Sequence, residues 1–244
     1  MLPCYGGARD RPNLLPLLAL LLQRFGVPVL MHGMLTGNGR VASVYILREL
    51  GIMPCANVSQ AQDALDTESI AFVPISLLAP GLAELLSLRA RLGVRSSAYS
   101  AVKLIDPFAG DGLRVVSASQ RAHLEKLREL LLATAGYALL LQSTEGEPFA
   151  NPERRPALEY FSDGTSQLLF DAEIGPLRRL PTPPSGVDAV ATAAWIRHAL
   201  AGEATVPPPL INQLACCLFA AGYTTDMNQA KAIVAVETGS LAAA

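Results

Sequence analysis

Met1-Leu-Pro-Cys-Tyr5-Gly6-Gly7-Ala8-Arg9-Asp10-Arg11-Pro12-Asn13 runs into an apolar stretch over 14–25 and then Gly26-Val27-Pro28-Val29-Leu30-Met31-His32-Gly33. This order reads as a strand, a glycine turn, a helix and a second strand. Glycines at a strand-to-helix turn let backbone N–H groups approach an anion at the positive end of the helix. Arg9 and Arg11 add two cations to that turn. The same pattern also suits an ordinary βα turn with solvated arginines, because a lone Gly-Gly is a weak signal.

The alternation continues downstream. Segments 28–31, 70–75, 113–117 and 137–141 have the apolar flatness of buried strands. Between them, 41–50 reads as a helix closed by Gly51, and 59–65 as a helix capped by Ser59. An amphipathic helix over 80–92 ends at Gly93, and a helix over 119–135 carries His123 on its polar side. Segments 158–161 and 167–170 read as antiparallel strands around Ser162-Asp163-Gly164. Strands alternating with helices predict an α/β domain over 1–180, with a mainly parallel sheet flanked by helices. Leu180-Pro-Thr-Pro-Pro-Ser-Gly186 reads as a stiff linker. Region 181–244 then supplies C-terminal helices at 187–201, 210–221 and 225–237, which are expected to pack on the same domain.

Of the 244 residues, 51% are hydrophobic and 16% charged, which excludes a disordered chain and allows a substantial core. A net charge of −2 excludes a protein that is basic throughout. The charge is uneven: residues 1–40 carry Arg9, Arg11, Arg24 and Arg40 against Asp10 alone, whereas 61–85 carry Asp63, Asp66, Glu68 and Glu84 without a base. Most bases are arginine, the residue that forks onto phosphate and stacks on flat rings. Cys4, Cys55, Cys216 and Cys217 lack metal-ligand spacing and read as small buried hydrophobes in a reducing compartment. The run 14–22 is too short for a membrane span, contains Pro16 and follows no charged leader, so a cytoplasmic protein without a membrane partner is expected.

Phe72-Val-Pro-Ile-Ser-Leu-Leu-Ala-Pro-Gly-Leu-Ala-Glu-Leu-Leu-Ser-Leu-Arg89-Ala-Arg91-Leu92-Gly93-Val94-Arg95-Ser96 resembles the anthranilate phosphoribosyltransferase group, glycosyl transferase family 3, where a strand and a helix end in R-x-x-L-G-x-R-T. Tyr5-Gly6-Gly7-Ala8 sits at that family's G-T-G-G-D-G turn, Asn13 at its N-I-S-T helix start and His32-Gly33 at its K-H-G-N-R strand end. Ile105-Asp106-Pro107 falls at its L-x-N-P, and Leu210-Ile-Asn212 begins its closing helices. The resemblance implies the nucleoside phosphorylase/phosphoribosyltransferase-type catalytic fold. It also implies an N-terminal helical domain, used for dimerisation, that is missing from a chain starting at the first strand.

The positions that carry the family's chemistry diverge. Tyr5 and Ala8 replace residues of the pyrophosphate loop, Met34 and Leu35 follow the histidine-glycine, and Thr36-Gly37-Asn38-Gly39-Arg40 departs from the serine-rich phosphate loop. The acidic pair that holds magnesium has become Glu145-Gly146-Glu147-Pro148, so Glu145 and Glu147 are weak metal candidates. No cofactor is expected, with Mg2+ needed only if transfer survives. This pattern of losses is similar to the YbiB group, most clearly at 5–13 and 142–147, and that resemblance implies nucleic-acid binding with little sequence preference.

Arg9, Arg11, Arg40, Arg89, Arg91, Arg95, Lys103, Arg154 and Arg155 lie near expected element ends, where the loops of an open α/β sheet line one crevice. Gly6, Gly7 and Asn13 would join Arg9, Arg11, Arg89, Arg91, Arg95 and Lys103 in holding phosphate, and Tyr5 and Tyr99 could stack on bases. Alternatively the cations are solvated or paired with Asp10, Glu153 and Asp106. Arg89 would approach the aromatic amine if the protein were a transferase. His32, with no nucleophile nearby in sequence, reads as structural before catalytic. Three readings follow: non-specific nucleic-acid binding through a basic groove, glycosyl or phosphoribosyl transfer to an unidentified acceptor, or a truncated, inactive product without independent function.

Overall fold

A computed structural model describes residues 1–173, 184 and 186–239. The opening turn forms as the sequence dictates: β1 (Leu2–Cys4) passes through 5–14 into α1 (Leu15–Arg24), with Pro16 in its first turn. Then follow β2 (Val29–Gly33), α2 (Ser43–Glu49), α3 (Val58–Glu68) and β3 (Ile70–Pro74). Short helices α4 (Ile75–Leu78), α5 (Pro80–Ser87), α6 (Arg89–Leu92) and α7 (Ala98–Ala101) lead to β4 (Arg114–Ala118), α8 (Arg121–Leu132) and β5 (Tyr137–Gln142). β6 (Leu158–Ser162), β7 (Thr165–Phe170), α9 (Ala189–Leu200), α10 (Pro208–Ala220) and α11 (Met227–Thr238) complete the described chain.

β1, β2 and β3 pair in parallel, as do β4 and β5, while β5, β6 and β7 are antiparallel. The amide of Val115 donates to Met1 O at 3.1 Å, so the two sheets abut where β4 meets β1. Successive strand residues point to opposite faces. Val29, Met31, Val115, Leu139 and Leu141 accordingly join the main core with α1 and α10. On the other face, Leu30 packs with Ala61 and Leu65 of α3, and Val116 and Leu140 with Leu131 of α8. Helices therefore cover both faces. α9, α10 and α11 share the main core with α1, and all four cysteines are buried and free. Among the described residues no helix is long and apolar enough to cross a membrane.

Several boundaries differ from the sequence reading for local reasons. The cap of α3 is Asn57, whose side chain accepts from Gln60 N at 2.8 Å, so Ser59 lies inside the helix rather than at its start. α2 starts later than expected because Val41 is drawn into an antiparallel bridge with Ala8. The single helix expected over 80–92 is interrupted at Leu88, although Gly93 does close it at φ +71°. α8 is shorter at both ends than 119–135. Residues 180–183 and 185 of the expected linker lie outside the described residues.

Candidate functional site: a phosphate turn filled from within

The turn after β1 does present its backbone amides, and the chain itself fills them. The Gly7 amide donates to Glu147 Oε1 at 2.5 Å. The Arg9 amide donates to Glu145 Oε2 at 2.5 Å, and Asp10 N to Glu145 Oε1 at 3.1 Å. Two carboxylates thus occupy the N–H groups of the turn, which lies upstream of the first turn of α1 rather than at its N-terminus.

The acidic segment is shaped for this contact. Thr144 and Glu147 exchange backbone hydrogen bonds of 3.0 and 2.9 Å around Glu145 (φ +52°) and Gly146 (φ +95°). Positive φ at both central residues is the signature of a tight mirror-image turn. Gly6 packs directly on it: a Cβ there would lie 2.7 Å from the Gly146 carbonyl carbon and 2.9 Å from Glu145 O. Behind the turn, buried Gln213 of α10 donates to Pro148 O at 2.8 Å and accepts from Ala150 N at 2.7 Å. The sequence reading missed Gln213; its signal was an uncharged polar residue inside the apolar run of α10.

Basic side chains close over the joined turns. Arg40 donates to Gly7 O at 3.2 Å, Arg95 to Gly6 O at 3.1 Å and Lys103 to Gly146 O at 2.7 Å. The guanidiniums of Arg89 and Arg95 lie 5.6 and 5.5 Å from the Tyr99 ring centre. Burial pushes the Arg95 pKa down, and the nearby Arg89 and Arg40 charges push it the same way. Burial also lowers the Lys103 pKa, opposed by Glu147. Glu147 is itself fully buried; burial raises its pKa, and the Gly7 amide and Lys103 counter this in part.

The structure thus brings Gly6, Gly7, Arg9, Arg95 and Lys103 together, with Arg89 beside them across Tyr99. Arg91 is exposed on α6, and Arg11 is held by Glu153 at 2.7 Å, one of the pairings anticipated for the basic groups. Asn13 is not available to phosphate: it is fully buried, accepts from Leu15 N at 3.2 Å and donates to Ser43 Oγ at 3.1 Å, fixing the entry to α1. Tyr5 and Tyr99 are buried and present no free face for stacking on bases. Tyr5 OH instead bonds His32 Nδ1 at 2.8 Å. Burial lowers the His32 pKa to about 3, so the ring is neutral, and its Nε2 is buried without a hydrogen-bond partner.

The cavity between Cys4, Tyr5, Gly7, Gly37 and Arg89 measures only about 10 Å3, room for about one water molecule. Glu145 commits both oxygens, and Glu147 its Oε1, to backbone amides, which leaves the buried Glu147 Oε2 as the one oxygen of the pair without a hydrogen bond. No group of three His, Cys, Asp or Glu side chains suited to a metal occurs among the described residues.

No family model matches the chain. It is 37% identical over 235 residues to YbiB of Escherichia coli (strain K12), covering 96% of this chain and 73% of that protein. It is 26% identical to an anthranilate phosphoribosyltransferase of Prochlorococcus marinus (strain MIT 9313), covering 91% of this chain and 64% of that protein. Among solved structures, anthranilate phosphoribosyltransferase from Thermus thermophilus superposes with a TM-score of 0.73 at 22% identity, covering 98% of this chain and 72% of that one. The Saccharomyces cerevisiae enzyme in complex with PRPP and Mg gives a TM-score of 0.70 at 10% identity, covering 97% of this chain and 68% of that one. These two likenesses establish the phosphoribosyltransferase-type α/β fold, and the extent of identity with YbiB places the chain by sequence. The chain belongs to the anthranilate phosphoribosyltransferase-like family that includes YbiB.

Proposed function

We propose that the protein binds nucleic acid without sequence preference through the cationic rim around the 5–10 turn, and does not transfer a phosphoribosyl group there. The observation that carries this reading is the filling of the Gly7, Arg9 and Asp10 amides by Glu147 and Glu145. A diphosphate entering this turn would meet two carboxylates, carried on a backbone that Gly6 touches directly. The outer surface differs in kind. Arg9, Arg40, Arg89, Arg91, Arg95 and Lys103 make no ion pair among the described residues. Of these, Arg9, Arg91 and Arg95 are exposed, whereas Lys103 lies against the buried Glu147. Exposed cations attract a phosphate backbone, a contact that is additive, salt-sensitive and blind to sequence.

The second reading is glycosyl or phosphoribosyl transfer to an unidentified acceptor, favoured by the fold and by Arg89 beside the small cavity. It requires the acidic turn to leave the Gly6–Asp10 amides. Fluorescence anisotropy with labelled single-stranded DNA and RNA, run beside a magnesium-dependent assay with phosphoribosyl diphosphate and anthranilate, separates the two. Binding of both oligonucleotides at low salt without turnover is expected. Turnover abolished by Arg89→Ala, with no oligonucleotide bound, would reverse the assignment.

A further inference from the structure

A cavity of about 580 Å3 opens between the starts of β2, β4 and β5 and the end of α10. Met1 N donates to Leu113 O at 2.7 Å and Val115 N to Met1 O at 3.1 Å, the bonding pattern of parallel strands. β1 therefore also starts at this end, and the filled turn lies past its other end. The cavity shares no lining residue with the cationic rim. Its volume is within the range that holds small organic ligands, roughly 300–1,000 Å3, whereas packed interiors leave few voids larger than a water molecule.

The lining is apolar and aromatic. Leu2, Leu22, Val29, Leu113 and Val115 contribute aliphatic surface. Tyr160 and Phe219 also line it and meet edge to face, with ring centres 5.9 Å apart. Phe108 and Tyr137 join them and are each 37% exposed, so the cavity opens past aromatic surface. The segment carrying Phe108 is held in place. Asp106 accepts from Phe108 N and Gly110 N, both at 3.0 Å, and Asp111 N donates to Phe108 O at 3.1 Å. A Cβ on Gly112 would lie 3.1 Å from both Phe108 Cδ2 and Met1 Cε, so the ring lies close against a bare backbone. This turn sets Asp111 and Phe108 together in the lining.

Asp111 is the one charged side chain of the lining, is exposed, and makes no ion pair among the described residues. Arg114, the base nearest to it in sequence, faces Asp106 at 3.8 Å instead. Burial lowers the Met1 amine to about 6 and pushes the Cys217 thiol up to about 12, so both are mainly neutral at pH 7. A single unpaired carboxylate beside open aromatic rings selects a cation, because ring faces also attract positive charge. We propose that this cavity binds a small aromatic amine. Its ring system enters among Phe108, Tyr137, Tyr160 and Phe219, and its ammonium stays at the opening against the Asp111 carboxylate. Apolar burial supplies most of the affinity, and Asp111 supplies the choice of charge.

The test is calorimetric titration of the full chain with naphthylmethylamine, and with naphthylacetate as a ligand of the same ring system and opposite charge. Wild type should bind the amine and favour it over the acetate by about fivefold or more. Asp111→Asn should weaken the amine by up to about fivefold and bring the two ligands together. Ala221→Trp, at an exposed position lining the cavity, should fill it and abolish binding of the amine. No binding of the amine by wild type overturns the proposal, and so does an equal affinity for the acetate. An amine affinity that survives Ala221→Trp, or that Asp111→Asn leaves unchanged, overturns it too. Because the cavity and the cationic rim share no residue, these outcomes hold whether or not the protein binds a nucleic-acid strand.

Discussion

Glu147 Oε1 lies 2.5 Å from the backbone nitrogen of Gly7, across 140 residues of sequence. The contact turns a strand-to-helix turn shaped for an external anion into one satisfied by the protein's own carboxylate. Around it, the basic side chains donate to carbonyls of the same two turns rather than to carboxylates.

Removing that carboxylate should reopen the anion site. Glu147→Ala leaves the Gly7 amide buried without its acceptor, at a cost of about 1–3 kcal/mol, and leaves Lys103 and Arg95 facing the gap. Thermal melts should show the variant less stable than wild type, with millimolar inorganic pyrophosphate restoring much of the loss. Pyrophosphate should raise the wild-type Tm by much less, because the turn amides are already filled and only the outer cations can meet it. An equal shift in both proteins would show that the turn is accessible to anions as it stands.

Gly6→Ala should be poorly tolerated. Its Cβ would meet the backbone of Glu145, Gly146 and Glu147 at 2.7–2.9 Å, and backbone cannot rotate away as a side chain can. Separating the two turns should cost roughly 2–3 kcal/mol, at the upper end of ordinary single substitutions. Denaturant unfolding checks this, and a loss below about 0.5 kcal/mol, the scale of a neutral surface substitution, would mean that the turns do not touch.

Acid should destabilise the fold through His32. Burial holds its imidazole neutral down to about pH 3, against an ordinary value of 6.5. Between these values the unfolded chain binds the proton and the folded chain does not, so stability falls as the pH drops from 6.5 towards 3. The slope is about 1.4 kcal/mol per pH unit at most for one such group. His32→Gln should flatten stability against pH over that window in chemical denaturation. A profile as steep as wild type would assign the acid sensitivity to other groups.

The fold was legible in the sequence because its strands are uninterrupted apolar runs whose neighbours alternate between two helical layers. Val115 and Val116 enter different cores for that reason alone. The Gly6-Gly7 turn and its surrounding arginines were legible too. Their true partner was not: nothing in local spacing pairs Glu147 with Gly7, and a Glu-Gly-Glu turn reads equally as a solvated loop. Tyr99 looked available for stacking because burial of an aromatic flanked by serine and alanine is decided by α5, whose Leu86 packs with it. Asn57 took the cap expected of Ser59 because both residue types serve, and only the backbone path decides between them.

Salt dependence of strand binding tests the central claim most directly. Arg9 and Arg91 are exposed and make no ion pair among the described residues, so Arg9→Ala with Arg91→Ala removes charge without disturbing the joined turns. The measurement is the affinity for a single-stranded oligonucleotide across a range of salt, wild type against the double variant. Wild type should bind DNA and RNA at low salt with a steep negative slope of log affinity against log salt. The variant's slope should be shallower by about 1.4, since each phosphate neutralised on a single strand contributes about 0.7. Identical slopes, or no binding by wild type at low salt, would contradict the proposed function.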